Sequence, residues 1–165
     1  MDIYILSGKG EGQTLLSAFD AALKDCGMHN YNLIYLSSII PPGSRVVRID
    51  RFPTQREQYG HKAYVIKSEA RSDKIGVTIG AGLGWYQFDE GGRGVFVEQH
   101  VQTGDEKNTK EVLQSIITKS IHDLCAFRDM PFDPTKMGSL LSITKVENKP
   151  ACVLVLAVYE LEAWT

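Results

Sequence analysis

The stretch "ACVLVLAVYELE", residues 151–162, is the longest of several strand-like runs in this sequence. The valines and the tyrosine within it favour extended structure. Turn-forming residues separate it from shorter runs of the same kind, which we predict as strands at residues 3–6, 31–38, 62–68, 75–82, 94–101 and 139–147. So many strands in a short chain predict a fold that is dominated by sheet.

Two segments have helical rather than strand periodicity. In the first, we predict a helix that begins at Gln13 or Thr14, ends at Gly27 and presents one apolar face: Leu15, Leu16, Phe19, Leu23 and Cys26. In the second, Asn108 and Glu111 offer a start related to a capping box. The apolar residues that follow at helical spacing are Leu113, Ile116, Ile117, Ile121, Leu124 and Phe127.

The predicted fold class is therefore α+β. The sequence contains no repeat, low-complexity tract or linker, so residues 1–165 are expected to form a single domain. Two helices can cover only part of the apolar surface of so many strands. Contact between two sheets or between subunits is expected to bury the rest, which predicts an oligomer.

Charge and composition exclude several functions. The chain has 18 Lys and Arg against 20 Asp and Glu, a net charge of -2 that indicates no nucleic acid partner. Its three cysteines and four histidines lack the spacing of a disulfide framework or a metal site, so we expect reduced thiols and no metal. The sequence shows neither a signal peptide nor a membrane span, and a cytoplasmic location is expected.

The glycine-rich segment "SGKGEG", residues 7–12, follows a predicted strand and precedes a helix, as a phosphate-binding loop would. It fits neither the Walker pattern nor the dinucleotide fingerprint, and Glu11 stands where phosphate would lie. We predict a flexible turn from strand to helix instead.

Two carboxylates have positions of interest. In "GVFVEQHV", residues 94–101, strand alternation places Glu98 on one face with Phe96 and His100. A buried carboxylate there could hold a proton near neutral pH, as a general acid must. If that face is instead exposed, Gln99 points inward, and the pattern favours neither alternative. Asp20 lies at the edge of the first helix's apolar stripe, where an ordinary solvated charge is expected.

The segment "NLIYLSSIIPP", residues 32–42, contains a serine pair followed by two prolines. The prolines have no N–H to donate, so the strand must end there. This segment resembles the self-cleavage site of the pyruvoyl-dependent arginine decarboxylases. Three further stretches resemble parts of that family in the same order. The stretch "GEGQTLLSAFDAALKDCGM" resembles its glycine-rich turn and first helix, and "GVFVEQHV" resembles its glutamate-bearing strand. The apolar end of the chain resembles its last strand.

The resemblance implies an αββα sandwich of mainly antiparallel sheets with flanking helices, assembled as a trimer or a dimer of trimers. It also implies autocatalytic serinolysis. The Ser38 hydroxyl attacks the preceding carbonyl, and the chain separates into residues 1–37, which end at Ser37, and residues 38–165. Ser38 then becomes a covalent pyruvoyl group, which condenses with the substrate amine and accepts the electron pair released with carbon dioxide.

The same resemblance implies the remaining roles, with arginine as substrate and agmatine as product. Glu98 returns a proton to the substrate carbon, Asp20 pairs with the guanidinium, and Asn32 positions Ser38 in a site between neighbouring subunits. Two alternatives stay open. One is a pyruvoyl decarboxylase for another amino acid, and the other is an uncleaved, non-enzymatic homologue that acts as an oligomeric binding or structural subunit.

Overall fold

The computed structural model describes residues 1–165, which form nine strands and two α-helices. In chain order these are β1 (Asp2–Glu11), α1 (Leu15–Cys26), β2 (Asn32–Tyr35), β3 (Ile39–Ile40), β4 (Arg45–Arg48), β5 (Lys62–Ser72), β6 (Thr78–Gln87), β7 (Gly94–Thr103), α2 (Glu106–Ala126), β8 (Gly138–Lys145) and β9 (Ala151–Glu162). Single 3₁₀ turns lie at Arg56–Gln58 and Pro134–Lys136.

The strands form two sheets. The five-stranded sheet has the order β2-β5-β9-β1-β4, and the four-stranded sheet has the order β3-β7-β6-β8. All pairs are antiparallel except β1 with β4 and β2 with β5. Helix α1 packs on the outer face of the five-stranded sheet, and α2 packs on that of the four-stranded sheet. The predicted αββα sandwich is therefore confirmed.

The inner faces of the two sheets share one apolar core. Ile5 and Val155 of the five-stranded sheet meet Leu83 and Phe96 of the four-stranded sheet, and all four side chains are fully buried. This layer explains how two helices suffice for nine strands, because each sheet buries one face against the other.

Strand β1 corrects the prediction of a flexible turn at residues 7–12. The strand continues through this segment to Glu11, and its glycines allow α1 to lie against the backbone. A Cβ atom would come within 2.1 Å of the Ala22 carbonyl oxygen at Gly8 and within 2.3 Å of the Ala22 nitrogen at Gly10. These glycines therefore permit close helix packing rather than a turn.

Helix α1 has the predicted ends but a different buried face. Thr14 caps its N-terminus by accepting from the Ser17 N–H at 3.0 Å, and Gly27 ends it with φ of 85°. The helix buries Ala18, Ala22, Leu23 and Cys26, whereas Leu15 and Leu16 are exposed. The predicted apolar face was wrong at its start because the small alanines, not the leucines, fit against the glycines of β1.

Helix α2 begins earlier than predicted. Asp105, not Asn108, is the N-cap, and its carboxylate accepts from the Asn108 N–H at 2.8 Å. The first turn carries only polar residues, which is why the apolar pattern did not reveal it. The buried stripe contains Leu113, Ile117 and Ile121 as predicted, while Phe127 follows the helix and is exposed.

Most strand predictions are confirmed with shifted ends. Strand β9 has the predicted bounds, β3 ends directly before Pro41 as expected, and β2 ends before the serine pair rather than including it. Strand β3 was not predicted as a separate strand, and β4 was not predicted at all. The three cysteines are free and buried, and burial raises the pKa of the Cys26 and Cys152 thiols to about 12. Neither helix contains a segment long and apolar enough to cross a membrane.

Candidate active site

The serine pair lies where the chain crosses from one sheet to the other. Strand β2 belongs to the five-stranded sheet and β3 to the four-stranded sheet, with only Leu36, Ser37 and Ser38 between them. On one side, the Leu36 N–H donates to the Val65 carbonyl at 2.9 Å. On the other, the Phe96 N–H donates to the Ser38 carbonyl at 2.8 Å. Both ends of the Ser37–Ser38 peptide are thus held, each by a different sheet.

The backbone turns tightly at Ser38. The Ile39 N–H donates to the Ser37 carbonyl at 2.8 Å, a hydrogen bond between residues two apart that defines a γ-turn. This donor lies on the oxygen of the carbonyl that the Ser38 hydroxyl would attack. It polarises that carbonyl and can stabilise negative charge on its oxygen.

Glu98 contacts the Ser38 side chain directly. The Ser38 hydroxyl lies 2.6 Å from each oxygen of the Glu98 carboxylate, and both residues are half-buried. Strand alternation aims Glu98 to the same side as Phe96, which is fully buried between the sheets. Because β3 pairs with only the first residues of β7, the Glu98 carboxylate extends past β3 to Ser38. This arrangement suits proton transfer between the two side chains.

A cavity of about 530 Å³ opens beside this pair. Strand β7 and the C-terminal end of α2 form its walls, and its charged lining residues are Glu98, Asp123 and Arg128. The Arg128 guanidinium donates to the Leu124 carbonyl at 2.9 Å, so part of its hydrogen-bonding capacity is used within the helix end. The cavity has the size of a small-molecule site.

Gln99 does not share the position of Glu98. Its amide lies on the helix side of β7, 3.3 Å from the Ser120 hydroxyl, and it is half-buried. The sequence pattern left open whether the Glu98 face or the Gln99 face of β7 is the inward one. Neither alternative is complete, because Glu98 and Gln99 line the cavity from opposite faces of the strand.

The other two predicted site residues lie elsewhere in the protomer. Asp20 is exposed on α1 and does not line the cavity. The Asn32 amide donates to the Gly60 carbonyl at 2.6 Å, at the start of β2 and away from Ser38. Within one chain, the fold brings together Ser37, Ser38 and Glu98 but not Asp20 or Asn32.

Two further residues at the site were not singled out from the sequence. The Tyr159 hydroxyl donates to the Ile39 carbonyl at 2.8 Å, and Asp123 presents a carboxylate to the cavity. Tyr159 ends an apolar run and is indistinguishable there from a core residue, while Asp123 lies among exposed residues of α2. No sequence pattern identifies either one.

Comparison with known proteins shows the family of this chain. The sequence model of the family described as pyruvoyl-dependent arginine decarboxylase matches residues 2–163. The chain belongs to the pyruvoyl-dependent arginine decarboxylase family. Among relatives that carry this name, the protein of Pyrococcus furiosus is 31% identical over 154 residues, which cover 93% of this chain and 91% of the relative.

Other members of the pyruvoyl-dependent arginine decarboxylase family match over shorter stretches. The protein of Halobacterium salinarum is 34% identical over 116 residues, which cover 70% of this chain and 68% of that protein. The protein of Methanococcus aeolicus is 41% identical over 80 residues, which span about half of each sequence, 47% of this chain and 48% of the relative.

Proposed function

We propose that this protein is an arginine decarboxylase that generates a pyruvoyl group from Ser38 by cleaving its own Ser37–Ser38 bond. The observation that carries the proposal is the contact between the Ser38 hydroxyl and the Glu98 carboxylate at the crossover between the sheets. Membership of the family supports the reaction, and the geometry supports the residues.

The first step is an acyl shift. Glu98 takes the hydroxyl proton of Ser38, the Ser38 oxygen bonds to the Ser37 carbonyl carbon, and the bond from that carbon to the Ser38 nitrogen breaks. The departing nitrogen receives the proton. The Ile39 N–H, 2.8 Å from the Ser37 oxygen, stabilises the charge that develops there. The product is an ester that joins Ser37 to the Ser38 side chain.

The second step cleaves the chain. Removal of the Ser38 α-proton expels the Ser37 carboxylate from the β-carbon and leaves dehydroalanine at residue 38. Addition of water and loss of ammonia then convert that residue to the pyruvoyl group. The proposed products are residues 1–37 and residues 38–165.

The two chains are expected to remain one domain. Strand β1 of the small chain pairs with β9 along eight residue pairs and with β4, and β2 pairs with β5. Each end created by cleavage stays in its own sheet, because the broken bond lies between the sheets. Cleavage therefore does not need to unfold either sheet.

The site fits a pyruvoyl group at residue 38. Such a group supplies a carbonyl that accepts the substrate amine and takes up the electron pair released with carbon dioxide. The Phe96 N–H, 2.8 Å from the Ser38 carbonyl oxygen, holds that oxygen in place. Glu98 lies beside residue 38 and is positioned to deliver a proton to the substrate carbon that loses carbon dioxide.

Substrate recognition is proposed to involve a neighbouring subunit. Asp20 is exposed on α1, so it is free to enter the cavity of an adjacent protomer of a trimer and pair with the guanidinium. Asp123 offers a second carboxylate from the same protomer as Ser38. Asn32 lies six residues before Ser38. It is proposed to act through β2, because its amide ties the start of that strand to Gly60.

The test is release of carbon dioxide from a panel of amino acids by the purified protein. Arginine should be consumed with formation of agmatine, and lysine and ornithine should react much more slowly because they lack the guanidinium. Turnover of another amino acid with inert arginine would reject the assigned substrate. No turnover of any amino acid by a cleaved protein would reject the decarboxylase.

A further inference from the structure

We propose that Tyr159 is a positioning residue for self-cleavage: its hydroxyl holds Ile39 so that the Ile39 N–H stays on the Ser37 carbonyl. This inference rests on the proposed function. It concerns a side chain that neither carries out proton transfer nor contacts the scissile bond. Three features of the structure support it.

The first feature is a β-bulge in β9. Val158 pairs with Val65 and Glu160 pairs with Tyr64, so Tyr159 is an extra residue with no partner in the ladder. A bulge redirects side chains and is common beside active sites. Here the bulged residue belongs to the five-stranded sheet, and its hydroxyl reaches the Ile39 carbonyl of the four-stranded sheet at 2.8 Å. Tyr159 thus ties the two sheets together at the crossover.

The second feature is the weakness of β3 itself. Strand β3 has only two residues, lies at the edge of its sheet and is followed by Pro41, which has no N–H. Such a short edge ladder fixes its first residue poorly. Because Ile39 also donates to the Ser37 carbonyl at 2.8 Å, any rotation of Ile39 would remove the donor from that oxygen. The hydrogen bond from Tyr159 restrains this rotation.

The third feature is the rigidity of the tyrosine. Its ring packs edge-on against Phe96, with centroids 6.2 Å apart, and Phe96 in turn holds the Ser38 carbonyl through its N–H. Burial, together with the nearby charge of Glu98, raises the pKa of Tyr159 above its usual value. The hydroxyl therefore keeps its proton and remains a donor to Ile39.

The test compares Tyr159→Phe with Tyr86→Phe. Both substitutions remove only a hydroxyl that donates to a backbone carbonyl, but the Tyr86 hydroxyl donates to Pro131, and also accepts from the Asp133 N–H, outside the cavity. Freshly translated protein is followed by intact mass. Tyr159→Phe should slow cleavage by roughly tenfold, as expected when one aligning hydrogen bond is lost, while Tyr86→Phe should cleave like wild type. Wild-type cleavage by Tyr159→Phe would overturn the inference.

A second measurement does not depend on cleavage. In the Ser38→Ala background, amide hydrogen exchange of residues 36–40 should be faster with Tyr159→Phe, whereas exchange in the rest of β9 and in α2 should be unchanged. If Tyr159 had a purely structural role, its replacement would instead accelerate exchange throughout the sheets. Unchanged exchange at residues 36–40 would overturn the positioning role. A wild-type chain that never cleaves would reject the proposed function, and the cleavage role of Tyr159 with it.

Discussion

Ser38 and Glu98, which are 60 residues apart in the chain, are joined by a hydrogen bond with 2.6 Å between the hydroxyl and either carboxylate oxygen. One carboxylate therefore lies beside the residue that is proposed first to lose a proton and later to carry the prosthetic group. The proposed mechanism gives Glu98 two tasks in sequence, as base for the acyl shift and as acid for the substrate carbon. Both tasks need the same position, which accounts for a carboxylate at this place in β7.

Glu98→Gln should impair both reactions, because the amide keeps the shape of the carboxylate but cannot accept the Ser38 proton. Cleavage and decarboxylation by the cleaved fraction should each slow by about a hundredfold or more, the range for loss of general acid–base catalysis. Intact mass over time and agmatine release per cleaved chain measure the two rates. Glu160→Gln, at an exposed position in β9, is the control. If both rates of Glu98→Gln stayed at the wild-type level, Glu98 would have neither task.

Asp20 and Ser38 are proposed to meet across a subunit interface, and mixed oligomers test this. Co-expression of Asp20→Asn with Ser38→Ala, each with its own tag, should give hybrids more active than either parent. In a cyclic trimer about one third of the sites would pair an intact Ser38 with an intact Asp20. Agmatine formation by doubly tagged oligomers is the measurement.

The control for this experiment uses two residues of one protomer. Ser38 and Glu98 are in contact within a single chain, so hybrids of Ser38→Ala with Glu98→Gln should not regain activity. Recovery in this pair, or no recovery in the pair with Asp20→Asn, would contradict the assignment of Asp20 to a neighbour.

Gly10 tests the packing of α1 on β1. A Cβ atom at this position would lie 2.3 Å from the Ala22 nitrogen, a backbone atom that cannot move without shifting the helix. Gly10→Ala should lower the free energy of unfolding by about 1 to 3 kcal/mol, the usual cost of overpacking. Gly104→Ala, where nothing lies within 4 Å of the added Cβ, should change it little. Urea denaturation compares the two, and equal stability would disprove the close contact.

The buried Cys152 thiol predicts how the stability of the fold depends on pH. Burial raises the pKa of its thiol from 9.0 to about 12, so above pH 9.0 the unfolded chain ionises while the folded chain does not. The thiol's contribution to stability is complete below pH 9.0 and is lost as pH rises toward about 12. The stability advantage of wild type over Cys152→Ala should therefore shrink by about 2 kcal/mol between about pH 8 and about pH 10.5. An advantage independent of pH would contradict this shift.

The sequence predicted the layers of the fold better than their contacts. Strand β9 and the ends of α1 were predicted correctly, because an uninterrupted apolar run and paired capping signals are local features. The glycines of β1 were misread as a turn. Glycine is needed at these positions because Ala22 of α1 lies so close to β1. A contact between two elements leaves no local pattern in the sequence. Asp105 was missed because polar residues at the start of α2 carry no periodicity.

The residues of the candidate site were likewise predicted only in part. Ser37, Ser38 and Glu98 were predicted from motif resemblance, and the fold brings them together although four strands and a 3₁₀ turn separate them in sequence. Tyr159 was not found, because its direction depends on a β-bulge that the alternation of apolar residues does not reveal. Asp20 and Asn32 lie outside the cavity of their own chain, so their predicted roles depend on contacts between subunits.

Intact mass under denaturing conditions tests the central claim most directly. Wild type and Ser37→Ala should each yield two species, residues 1–37 and residues 38–165, with the larger one lighter by one ammonia than a chain that begins with serine. Ser38→Ala should remain a single full-length chain because the attacking hydroxyl is absent. A wild-type protein that keeps its full-length mass after prolonged incubation, or cleavage of Ser38→Ala at the same bond, would contradict the account.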